Sequence, residues 1–206
     1  MKPVDNKIYL ASKSPRRREL LRQIGVEFEL LLLRDQTPRG PEVTEHVIPG
    51  EQAIDYVARV TREKAACARQ TMLLRKLPFR PVLAADTTVV LDGKILGKPA
   101  DPAEAFDMLK SLSGRTHQVL TSVVVQHEEN IWQTTQSSDV AFGLLSDATI
   151  RAYCATQEPY DKAGGYAIQG MAGLFIEQIA GSYSGIMGLP LYETGQLIDR
   201  LPYRSR

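Results

Sequence analysis

Apolar and polar positions along the chain follow two periods, and the switches between them mark out a succession of strands and helices. KIYLA is a short apolar strand, and the helix after it carries Leu20, Leu21 and Ile24 on one face before Gly25 stops it. VEFELLLL reads as the next strand. RDQTPRGPEVTEHVIPG has three prolines, two glycines and no periodicity, which makes it a long loop of the kind compact domains keep to serve a site. Beyond it Ile54, Val57, Ala58, Thr61, Ala65 and Ala68 recur at helical spacing. PVLAADTTVVLDGKIL predicts a buried strand that turns at Asp92-Gly93 into a hairpin.

DPAEAFDMLKSLSG is a fully punctuated helix: Asp101 caps it, Pro102 opens it, Glu104 completes a capping box and Gly114 ends it. The Val- and Thr-rich run from Thr116 to Leu145 supplies two long strands around a polar turn at Glu128 to Asn130. A helix starts after Ser146, with Ile150, Tyr153 and Cys154 on one side; a glycine-rich stretch follows, and LPLYETGQLIDRL returns to helix. There is no internal repeat. The expectation is an α/β fold with a mixed, strongly bent β-sheet flanked by helices around a central groove, in one domain over residues 1–206 or two lobes about a cleft.

Composition narrows this picture. With 206 residues, 43% of them hydrophobic, the chain can bury a sizeable core. Its 25 basic and 24 acidic side chains nearly cancel, so no global charge invites a nucleic-acid polymer or an acidic membrane, and any anion recognition is local. Cys67 and Cys154 form no metal or redox motif and read as buried thiols of a reducing compartment. No apolar run approaches the roughly 20 residues of a membrane span, and the N-terminus has no signal-peptide core, so the expected location is the cytoplasm.

One charge pattern changes the functional picture. Ser14 has the character of an N-cap and Pro15 of a first helical residue, which puts Arg16, Arg17 and Arg18 in the opening turn. That end of a helix favours anions, and each cation there costs about 0.3–1 kcal/mol unless a negative partner compensates. Arg16 and Arg17 share the face of Leu20 and Leu21, whereas Arg18 and Arg22 suit a solvated face. Free helix N–H groups, the hydroxyls of Ser12 and Ser14 and two forked guanidiniums together suit a polyphosphate.

Asp86 interrupts the apolar strand VLAADTTVVL. A buried carboxylate needs a partner, so Asp86 either satisfies nearby backbone N–H groups or works with a metal, lysine or arginine. Glu45, Lys64 and Lys98 are each, taken singly, solvent-facing charges or members of such a site. Lys162 and Gln169 lie in DKAGGYAIQG, which is either a tight turn or a backbone that a ligand can approach closely. His46, His117 and His127 have no zinc spacing, and the phosphate-loop and dinucleotide-binding glycine motifs are absent.

LASKSPRRRELL, AADTTVVLDGKILGKP, and DKAGGYAIQG followed by GSYSGIMGLPL resemble, in this order and over roughly residues 8–200, the Maf family of nucleoside triphosphate pyrophosphatases. The resemblance implies a metal-dependent hydrolase that cuts a nucleoside triphosphate between its α and β phosphates. It assigns phosphate binding to Ser12, Arg16 and Arg17, the catalytic acid to Asp86, and two family lysines to Lys64 and Lys98. Arg17, Thr87 and Gln169 match the branch that prefers dTTP, UTP and related pyrimidines over the branch that takes 7-methyl-GTP. The family's acidic pair after the second strand is represented by Glu45, with Thr44 where an Asp is common and Asp35 the alternative if the gap falls elsewhere.

Together these readings give a mechanism in which Arg16, Arg17, Lys64, Lys98 and Lys162 neutralise a triphosphate, Glu45 and Asp86 hold Mg²⁺ or Mn²⁺, and Asp86 orients the attacking water. Gln169 and Thr87 would read the pyrimidine edge. Two other readings remain: a phosphate- or RNA-binding or cell-division module without turnover, and a pyrophosphatase for inosine or xanthosine triphosphate. Few aromatics, 7%, speak against an RNA surface. A homodimer is expected from base rates alone.

Overall fold

The computed structural model describes residues 6–32 and 43–202, so the first half of the long loop, with Asp35, lies outside the described residues. A mixed seven-stranded sheet organises the chain. Its strands are β1 (Ile8–Leu10), β2 (Phe28–Leu30), β3 (Val82–Leu91), β4 (Lys94–Leu96), β5 (Thr116–His127), β6 (Asn130–Phe142) and β7 (Ile176–Ala180), in the order β2-β1-β3-β5-β6-β7 with β4 also on β3. β1 runs parallel to β2 and β3, and every other pairing is antiparallel. The helices are α1 (Pro15–Gln23), α2 (Ala53–Leu74), α3 (Pro102–Leu112), α4 (Asp147–Cys154), α5 (Tyr183–Ile186) and α6 (Leu191–Ile198).

Strand periodicity explains the layers. Ile8, Leu10, Leu83, Ala85, Val123 and Val125 pack with Leu20 and Leu21 of α1 and Leu197 and Ile198 of α6. The intervening Tyr9, Val82, Ala84 and Val124 pack on Ala65, Ala68 and Met72 of α2. Covered on both faces, these strands read as continuous apolar runs instead of alternating ones. A further core joins Val89, Val119, Val140 and Phe142 to α3, α4 and the glycine-rich segment.

This topology leaves a gap. On one edge β3 pairs with β1 only at Val82 and Leu83 and with β4 only from Val89 onward. Between them lie Asp86 and Thr87, and just past the carboxyl end of β1 the chain turns into the N-terminus of α1. Such an opening beside strand ends is where α/β folds accommodate ligands.

Local punctuation largely follows expectation. Ser14 caps α1 and Ser146 caps α4, and Asp92 (φ 50°) and Gly93 (φ 75°) form the two-residue hairpin turn. Several details differ. Ile24 is 38% exposed because the helix ends there, leaving Leu20 and Leu21 as the core face. Ile54 is also exposed, and α2 instead buries Tyr56, Val57, Val60, Thr61, Ala65, Cys67, Ala68 and Met72. Glu104 accepts from the N–H of Ala100, one residue earlier than a standard capping box. The glycine-rich stretch contains the strand β7, which periodicity did not predict: its outer face is exposed and its pairing is with β6 alone.

Candidate active site

Arg17 turns back from the first turn of α1 toward the sheet. Its Nε donates to the Gly188 carbonyl at 2.7 Å, Nη1 to Ser12 Oγ at 3.3 Å and Nη2 to Thr87 Oγ1 at 3.1 Å. Burial pulls the guanidinium pKa down, Asp86 pulls it up, and Arg16 and Glu45 make smaller opposing contributions. The group stays charged, since arginine is not deprotonated in proteins. Ser12 Oγ also accepts from the Ser14 N–H at 3.2 Å. With its oxygen accepting from two donors, the Ser12 hydroxyl proton is left to donate to an anion. Behind Thr87, the buried Thr121 on β5 stands 3.0 Å from the Thr87 hydroxyl and donates to the Gly185 carbonyl at 2.8 Å. Sequence reasoning missed Thr121; in a Val- and Thr-rich strand it carries no distinguishing signal.

Asp86 leaves β3 on the opposite face, toward α2. Lys64 Nζ lies 2.6 Å from Asp86 Oδ1 and 2.8 Å from Glu45 Oε1, so one ammonium joins the strand carboxylate to the loop carboxylate. The Lys64 and Asp86 side chains are only 18% and 16% exposed, against 60% for Glu45. Three side chains of α2 fasten the loop around Glu45. Tyr56 donates to the Glu45 carbonyl at 2.9 Å, Arg59 to the carbonyls of Thr44 at 2.9 Å and His46 at 3.1 Å, and Glu63 accepts from the Thr44 N–H at 2.8 Å. Glu51 in turn holds Arg59 at 2.7 Å. Burial, Asp86 and Glu45 together raise the Tyr56 pKa to about 12, which keeps its hydroxyl a donor. Neither Tyr56 nor Arg59 stood out in the sequence.

The remaining expected residues sit on neighbouring segments. Arg16 is half-buried, and its charge acts on both Arg17 and Asp161. Burial raises the Asp161 pKa, but an ion pair with Lys162 and the field of Arg16 more than offset it, so the net shift is downward. The next segment is pressed onto β3: Gly164 donates to the Gly97 carbonyl at 3.0 Å, and a Cβ there would stand 2.8 Å from Val89 Cγ2. With φ at 72°, only glycine suits that position. Lys98 follows Gly97 and is exposed. Gln169 is exposed ahead of Gly170, whose backbone abuts the Glu158 carboxylate; that carboxylate accepts from the N–H groups of Met171 and Ala172 and from the Tyr153 hydroxyl. Arg18, expected to be solvated, has a covered Nε, while Arg22 is exposed and lies over the Phe28 ring. Cys67 and Cys154 are buried free thiols whose pKa values burial raises.

The carboxylate pair fits a hard divalent cation. Glu45 and Asp86 already converge on one positive charge, for which the ammonium stands in. Among the described residues no group of three or more His, Cys, Asp or Glu side chains converges. Two carboxylates alone would leave such an ion to complete its shell with water and phosphate oxygens.

A mixed α/β sheet with an opening at the head of a helix, arginines on one side and paired carboxylates on the other, suits a protein that handles phosphate esters or phosphoanhydrides. The chain belongs to the Maf family: the family model described as Maf-like protein matches residues 7–201. It is 50% identical over 198 residues to the dTTP/UTP pyrophosphatase of Dechloromonas aromatica, covering 96% of this chain and 98% of that one. It is 52% identical over 204 residues to the protein of the same name from Aromatoleum aromaticum, covering 98% and 99%. Among solved structures, the Ham1 protein of Staphylococcus aureus superposes with a TM-score of 0.40 at 15% identity over 82% of this chain and 90% of that one, too distant to bear on chemistry.

Proposed function

We propose that the chain, acting as one domain, hydrolyses nucleoside triphosphates, preferably dTTP, UTP and modified pyrimidine analogues, to the monophosphate and pyrophosphate, and so cleanses the nucleotide pool. The observation that carries this reading is the placement of Asp86 and Thr87 side by side in the gap of the sheet, one on the Lys64 and Glu45 side and the other on the Arg17 side. The near full-length likeness to proteins named dTTP/UTP pyrophosphatase supports the substrate class.

In this reading the phosphate chain lies across the mouth of α1, where Ser12 donates its hydroxyl and Arg16 and Arg17 supply N–H groups and charge. Lys98 and Lys162 approach from the rim. Glu45 and Asp86 would hold Mg²⁺ or Mn²⁺, which when bound neutralises phosphate charge and acidifies a coordinated water. Asp86 orients the attacking water and accepts its proton while the other groups fix the anhydride in line. Gln169 offers both a donor and an acceptor to a pyrimidine edge.

Among the described residues no helix is long and apolar enough to cross a membrane, and we place the enzyme in the cytoplasm, as a homodimer without a nucleic-acid partner. The test is a nucleotide panel at fixed Mn²⁺ with pyrophosphate readout. UTP and dTTP are expected to lead, and Asp86→Asn to abolish release while leaving nucleotide binding. Binding without release by the wild-type protein would favour a non-catalytic module, and preference for inosine triphosphate would favour the purine reading.

A further inference from the structure

Lys64 occupies the position that the carboxylates would offer a metal. Its Nζ is 2.6 Å from Asp86 and 2.8 Å from Glu45, and two of its three donors are spent on them. A divalent cation held by the same two oxygens would stand within a few ångströms of that ammonium, where like charges repel. The backbone that carries the carboxylates does not depend on Lys64 for its placement. Asp86 is fixed in β3, paired with Ser122 of β5, and the backbone on either side of Glu45 is tied to Tyr56, Arg59 and Glu63. The ammonium, by contrast, ends a flexible four-carbon stem. With no third acid converging among the described residues, two carboxylates alone are a weak cage, and phosphate oxygens both complete a metal shell and attract an ammonium.

We propose that Lys64 and the divalent cation are alternative occupants of the space between Glu45 and Asp86, so that the free protein excludes the metal until a triphosphate draws the lysine onto its phosphates. The substrate is then the metal chelate of the nucleotide, and in the metal-free protein the lysine offsets part of the charge of the two carboxylates. The inference rests on the pyrophosphatase reading for the identity of the triphosphate, but its central measurement uses metal alone.

The test is Mn²⁺ binding to the full chain without nucleotide, followed by electron paramagnetic resonance of the free ion at constant pH. Lys64→Met is expected to tighten binding about tenfold, within the usual range for coupling between two ligands. Lys98→Gln, which removes an equal charge outside the pair, should change it far less. Glu45→Gln added to Lys64→Met should cancel the gain. Unchanged affinity in Lys64→Met, an equal gain in Lys98→Gln, or a gain that survives Glu45→Gln would each overturn the proposal. Should Lys64→Met fold poorly, the wild-type protein decides: α,β-methylene-UTP should convert weak Mn²⁺ binding to tight binding beyond what the nucleotide binds by itself, and tight binding without it would refute exclusion. Failure of the pyrophosphatase reading would appear separately, as absence of pyrophosphate release from every nucleotide.

Discussion

The guanidinium of Arg17 meets the hydroxyl of Thr87 at 3.1 Å, joining the opening turn of α1 to the strand residue next to Asp86. The contact sits within a three-pronged grip that also takes the Gly188 carbonyl and the Ser12 hydroxyl, so one side chain ties three separate parts of the chain together. Substitution by lysine keeps the charge and loses the fork. Arg17→Lys is expected to cost roughly 2–4 kcal/mol of folding stability through unsatisfied partners and lost packing. Pyrophosphate release should fall more steeply than the stability loss explains, as thermal unfolding and turnover measured together would reveal.

Thr121 backs that contact from inside the sheet. Thr121→Val preserves shape but removes the hydroxyl from between Thr87 and the Gly185 carbonyl, which keeps its bond from the Gly188 N–H at 2.9 Å, with an expected loss of about 0.5–1.5 kcal/mol, while Thr121→Ser restores the hydroxyl and most of the stability. If the serine variant were as damaged as the valine variant, the hydroxyl would not be the operative group.

Arg59 carries the loop that presents Glu45. Arg59→Ala frees the carbonyls of Thr44 and His46, and the Mn²⁺ concentration giving half-maximal activity should rise about fivefold, the equivalent of one lost hydrogen bond. Turnover at saturating metal should change little. A metal titration of activity separates the two.

Gln169→Glu replaces the amide donor with a second acceptor. Turnover of UTP and dTTP should fall far more than that of other nucleotides, and an equal loss on all of them would remove Gln169 from the recognition of the base.

His117 gives the fold an acid limit. It is buried against Phe142 and Tyr166, with Nε2 2.7 Å from the Tyr166 hydroxyl and Nδ1 unpartnered, and burial pushes its pKa down to about 4. The unfolded chain, with an imidazole near 6.5, binds the proton first. Stability from this residue is therefore complete above about pH 6.5 and is lost as pH falls toward 4, by an amount on the order of 3 kcal/mol. Denaturant midpoints of wild type and His117→Gln between pH 7.5 and 4.5 should converge at the acid end.

Much of this was legible in the sequence because local chemistry decided it. Ser14-Pro15, Asp92-Gly93, Asp101-Pro102 and Ser146 carry their geometry in one or two residues, and the same punctuation puts Arg16 and Arg17 in the opening turn of α1. What could not be read depended on pairing between distant segments. β7 escaped because an edge strand with one exposed face needs little apolar sequence. Tyr56 and Arg59 escaped because an amphipathic helix shows which face it buries but not which loop its polar flank holds. The family resemblance points to Glu45, which the shared ammonium of Lys64 sets beside Asp86, while Asp35 lies outside the described residues.

Adjacent side chains of an extended strand leave it in opposite directions, so Asp86 and Thr87 answer to different layers of the molecule: α2 on one side, α1 and the turn before α6 on the other. In the proposed mechanism, backbone parity would divide reactivity from grip. Under the proposed mechanism, repacking behind one layer would retune how firmly a substrate is held without disturbing Asp86 on the other. A one-residue insertion earlier in β3 would exchange the two roles and silence both.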